Sequence, residues 1–103
     1  MVLDTYWQLH QPPTSPLKIF VHLTAPNGRI VAQADGLDVN LATLQPGDLF
    51  RQRQQLELPA DLTPGPYRIS LGVYRADSGQ RLIASLPDRT VDSIVLGMLT
   101  LVK

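Results

Sequence analysis

An antiparallel, all-β sandwich of about seven strands is the fold this sequence predicts, on three observations. Nine prolines and seven glycines punctuate the chain, cutting it at intervals of about ten residues, the spacing of short antiparallel strands. No stretch sustains a helical apolar period without a proline or glycine interrupting it. Between the breaks, apolar and polar residues alternate, most clearly from Tyr67 to Val73. Such alternation marks a strand that buries one face and solvates the other.

The first strand runs from Leu3 to Leu9 and stops at Gln11-Pro12-Pro13. Leu17 to Thr24 forms the second and Ile30 to Asp35 the third, with Pro26-Asn27-Gly28 between them. Gly36 to Gly47 is an irregular crossing, rich in turn formers. The fourth strand spans Leu49 to Leu58, and Pro59 to Pro66 turns into the fifth, Tyr67 to Tyr74. Asp77-Ser78-Gly79 leads into a sixth strand, Gln80 to Leu86, and Pro87 to Asp92 into the last, Ser93 to Val102. Strands of this number and length fit an immunoglobulin-like sandwich. The last strand is apolar on both faces near Leu96, Met98 and Leu99, which predicts a central position or cover supplied from outside the chain. Tyr67, two residues after Gly65, is expected to bond its hydroxyl to the backbone of the preceding loop.

The hairpin at Pro26-Asn27-Gly28 decides which residues share a face. Pro26 and Asn27 suit the centre of a type I turn and Gly28 the left-handed position after it, so a three-residue loop is expected. That loop pairs Leu23 with Val31 and His22 with Ala32, and puts His22 and Asp35 on opposite faces.

At 103 residues the chain is read as one domain, 1–103, with 44% apolar and 17% charged residues, a globular composition. Nine basic and nine acidic residues cancel, which argues against nucleic acid and anionic lipid as partners. No cysteine is present, which removes disulfides, thiolate chemistry and sulfur-ligated zinc. The start shows no basic segment followed by an apolar run, so no signal peptide is expected. Ile94 to Val102 is about half of what a membrane-spanning helix needs and is read as a strand.

Several segments together resemble a known domain: Tyr6-Trp7-Gln8; Ile19 to Leu23 with Asn27 to Gln33 and Asp35; Gln45-Pro46-Gly47-Asp48; Leu58 to Leu62; and Pro64-Gly65-Pro66-Tyr67-Arg68 running to Gly72-Val73-Tyr74. In this order they resemble the β-sandwich accessory domain of bacterial and cyanobacterial membrane glycosyltransferase-like proteins of the dolichyl-phosphate-mannose mannosyltransferase type. The resemblance covers nearly the whole chain. It implies an extracytoplasmic module beside a membrane part that holds the catalytic residues, none of which carries over to this sequence. It also implies a strand before the Tyr6-Trp7 segment, so the chain is expected to lack an N-terminal edge strand. Where related domains often carry an acidic residue on the fourth strand, this chain has Arg51 or Arg53.

The residues able to do chemistry are few. His22 is a base or ligand only if a second polar group stands beside it; otherwise it is a strand histidine bonded to its neighbour. Asp35, Asp38 and Asn40 are oxygen donors of the kind calcium prefers, at a spacing that matches no EF-hand. No serine stands in a nucleophile elbow, and Glu57, the single glutamate, is expected to face outward. No cofactor is expected. Tyr6, Trp7, Tyr67 and Tyr74 are possible sugar-stacking faces; Trp7 is more often core, and Tyr74 is preferred as the exposed aromatic. The chain is therefore read as a non-catalytic accessory or interaction module whose partner is a glycan or another protein chain. A carbohydrate-binding module using Trp7, Tyr74 and His22 is the alternative, and a small enzyme the remotest.

Overall fold

The computed structural model describes every residue except Pro12 and Lys103, and it is an all-β, antiparallel, sandwich-like fold. Its strands are β1 (Val2–Gln8), β2 (Leu17–Thr24), β3 (Ile30–Gly36), β4 (Leu49–Gln55), β5 (Gly65–Arg75), β6 (Ala84–Ser85), β7 (Thr90–Val91) and β8 (Ile94–Leu101). A four-stranded sheet has the order β3-β2-β5-β8, and β1 and β4 form a two-stranded sheet.

Strand pleating sorts the residues between the layers. Val21 and Leu23 of β2, Ala32 of β3, and Tyr67 and Leu71 of β5 are buried with Leu56 in one apolar cluster, and Leu3 and Trp7 of β1 pack against it. Tyr67 behaves as expected of a corner tyrosine: its buried ring ends in a hydroxyl that donates to the Thr63 carbonyl oxygen at 2.7 Å. Two glutamines of β4 share this interior. Gln52 accepts the Asp38 N–H at 2.8 Å, tying the crossing segment to the sheet. Gln54 donates to the Ile19 carbonyl at 3.2 Å, while its own Oε1 is buried without a partner.

One expectation needs correction, and two are made more specific. The sixth strand is not continuous from Gln80 to Leu86. Arg81 bridges to Tyr74, after which the chain leaves β5 and makes the short β6–β7 pair, closed by a turn in which Leu86 N–H donates to Arg89 O at 2.7 Å. The crossing segment contains one 3₁₀ turn, Leu41–Thr43, begun by Asn40. The third concerns β8, for which the sequence predicts a central position or outside cover: it is not central, since among the described residues it pairs only with β5 and ends the larger sheet. Its apolar outer residues are therefore exposed, Val95 by 54%, Leu96 by 48% and Met98 by 60%.

Candidate functional site

The hairpin between β2 and β3 sets up the outer face of the larger sheet. Its loop has the expected three residues: Gly28 N–H donates to Ala25 O at 2.9 Å, and Ala25 N–H to Arg29 O at 2.8 Å. Gly28 takes φ +88°, a conformation open to glycine at little cost. The register then shifts. Thr24 pairs with Ile30 but Leu23 with Ala32, leaving Val31 as an extra residue in β3. The expected pairing of His22 with Ala32 becomes His22 with Gln33, and His22 and Asp35 lie on the same face, not on opposite ones. Burial explains the bulge. Without it Gln33 and Asp35 would turn into the apolar interior and Ala32 and Ala34 out of it.

On that face His22, Asp35 and Tyr74 stand together. The Tyr74 hydroxyl donates to Asp35 Oδ2 at 2.9 Å, and this bond raises the tyrosine pKa. The His22 ring stacks at a tilt on Phe20, with centroids 4.7 Å apart, and no hydrogen bond joins its ring nitrogens to another described residue. Burial of the imidazole lowers its pKa, the Arg81 charge lowers it further, and Asp35 opposes both. Arg81 spreads over the Phe20 ring, its guanidinium carbon 4.5 Å from the centroid, and reaches Asp92 at 3.6 Å. Phe20 is 2% exposed beneath these groups. The cluster is thus a capped aromatic ring on which Tyr74 and Asp35 are engaged with each other and Arg81 with Asp92, while the His22 ring nitrogens have no hydrogen-bond partner among the described residues.

Trp7 points inward. It is half-buried, its Nε1 donates to Thr5 Oγ1 at 2.7 Å, and with Leu71, Leu82 and Ile94 it walls an apolar cleft of about 190 Å³. The residues considered for calcium each have a structural contact, which for Asp38 is made by its backbone N–H and not by its carboxylate. Asp35 receives Tyr74, Asp38 is held through its backbone by Gln52, and Asn40 Oδ1 accepts the Ala42 N–H at 3.1 Å to cap the 3₁₀ turn. Among the described residues no group of three or more His, Cys, Asp or Glu side chains gathers.

The most exposed aromatic is Tyr6, at 76%. Strand alternation carries the signal: with Trp7 facing in, Tyr6 must face out. It lies opposite Arg51 on the outer face of the β1–β4 sheet, next to a fork in which Arg53 Nε and Nη2 donate to the two Asp4 oxygens at 2.8 and 3.0 Å. That pairing lowers the Asp4 pKa.

The other feature open to a partner is β8 itself, which exposes a free backbone edge and the apolar row Val95, Leu96 and Met98. Isolated surface apolar residues are ordinary, but a row along an unpaired edge is a template for another strand. No protein-family model, curated protein or solved structure matches the chain.

Proposed function

We propose that the chain is a non-catalytic accessory module, an immunoglobulin-like sandwich that works by adding a strand from another protein chain to the β8 edge. The resemblance noted above is the support for setting such a module on the extracytoplasmic side of a glycosyltransferase-like membrane protein. One observation carries the reading: β8 is an eight-residue edge strand with exposed apolar side chains and no charge or proline to deter pairing. Main-chain hydrogen bonds supply affinity in strand addition, and alternate side chains supply selectivity.

A peptide copying residues 94–101, flanked by lysines for solubility, tests it. Added to the protein, it slows amide exchange along β8 and leaves β3, the opposite edge, unchanged. A peptide without effect on β8 would refute the edge as a docking site.

Tyr6 favours a second reading, in which the outer face of β1 and β4 holds a carbohydrate by stacking, with Arg51 and Asp4 near the ring. On that reading neutral or acidic oligosaccharides shift the amide signals of β1 and β4, and Tyr6→Ala removes the shifts. If the shifts survive in Tyr6→Ala, the ring is not the platform.

A further inference from the structure

We infer that the outer face of β1 and β4 takes an acidic sugar, a uronate whose ring stacks on Tyr6 while Arg51 holds its carboxylate. The inference rests on the carbohydrate reading of that face and names the chemistry of the sugar.

Charge decides the class. Strand alternation turns Gln52 and Gln54 into the interior and leaves Arg51 and Arg53 outside. The two arginines are not equivalent. Arg53 lies opposite Asp4 and commits its fork to both carboxylate oxygens, so that pair presents little net charge. Arg51 lies opposite Tyr6, and no hydrogen bond or ion pair joins its guanidinium to another described residue. The face therefore carries an uncompensated positive charge directly across from its exposed aromatic ring. A carboxylate answers a guanidinium by accepting two parallel N–H donors. A neutral sugar would instead want a carboxylate to receive its hydroxyls, and Asp4 already has both oxygens on Arg53.

Shape selects a sugar among acids. Residues paired across an antiparallel ladder hold their Cβ atoms about 4.5–5.5 Å apart, and diagonal neighbours about 7–8 Å. Leu49 is on the diagonal from Tyr6 and 73% exposed. Ring and leucine thus form an apolar surface of about the width of one pyranose, with Arg51 at its border. The negative face of the tyrosine ring attracts the C–H groups on the flat side of such a ring. A uronate carries its carboxylate at the rim, so stacking on Tyr6 brings the charge within reach of Arg51. An acidic peptide has the charge without the flat ring, and a nucleic acid needs a row of cations that this face does not offer.

Tetragalacturonate and tetramannuronate, added in turn to the intact chain, test the inference against their methyl esters, which keep the rings and lose the charge. One of the acids should shift the amide signals of β1 and β4 and bind at least about ten-fold more tightly than its ester, the worth of one charge-assisted fork. Arg51→Gln, with circular dichroism unchanged, should reduce the acid to the affinity of its ester and leave the ester as it was. Tyr6→Ala should remove binding of both. If acid and ester bind alike, the carbohydrate reading stands and the acidic ligand is lost. If neither shifts the face, both fall. Tetraglutamate that binds as tightly as the acidic sugar, and is indifferent to Tyr6→Ala, would mark a site for acidic peptides and overturn the inference.

Discussion

Phe20 is the residue on which the outer face of the larger sheet depends. It sits across from Gly72 on β5, and a side chain at that glycine would run into the Phe20 ring and the Asp92 carbonyl oxygen. The absent Cβ lets the ring lie over the backbone, beneath Arg81. Gly72→Ala should therefore cost about 1–3 kcal/mol, the usual penalty for overpacking, read as a lower urea midpoint. Wild-type stability in this variant would mean that the ring is not held there. His22, packed on the same ring, gives a pH dependence. Its folded pKa lies below its unfolded value of about 6.5, because burial and then Arg81 disfavour the charged imidazole more than Asp35 favours it. In the window between the two values the unfolded chain binds more protons, so stability is complete above about pH 6.5 and declines as pH falls through the folded value. His22→Gln should flatten the dependence of the urea midpoint on pH below neutrality. An unchanged slope would assign it to other groups.

Among the elements, the β2–β3 hairpin shows where sequence reasoning held and where it stopped. Pro26, Asn27 and Gly28 have conformational preferences strong enough to determine the loop length, and the loop is as expected. The bulge at Val31 has no such local mark, since valine is an ordinary strand residue. A signal existed one level up, in the alternation Ala32-Gln33-Ala34-Asp35, because only one parity keeps Gln33 and Asp35 out of the interior. Loop geometry alone predicted the wrong face for Asp35, and so concealed the His22–Asp35–Tyr74 grouping. Deleting Val31 removes the extra residue and forces those polar side chains inward. It should destabilise the protein by clearly more than Gly28→Ala, whose left-handed position costs about 1 kcal/mol. A deletion milder than the glycine substitution would show that the bulge is not what sets the register.

The whole molecule was legible as a class and less so as an arrangement. Proline and glycine breaks with period-two alternation predicted antiparallel strands, and all the principal ones are present within a few residues of their expected ends. Which strand lies at an edge is decided by long-range pairing, which no local pattern encodes. Apolar residues on both faces of β8 suggested a central strand or cover from outside the chain, and the pairing rules out the first. Trp7, weighed mainly as core, lies half-buried against the core cluster, and Tyr6, its neighbour, was underweighted although alternation required it to face solvent.

The uncovered edge is the claim on which the functional account depends, and residue-resolved amide exchange of the chain with and without the peptide copying residues 94–101 tests it most directly. Protection should rise with peptide concentration at alternate amides of β8 from Gly97 onward, and remain constant on β1, β3 and β4. Exchange along β8 that the peptide leaves unchanged, or protection growing at β3 instead, would contradict it.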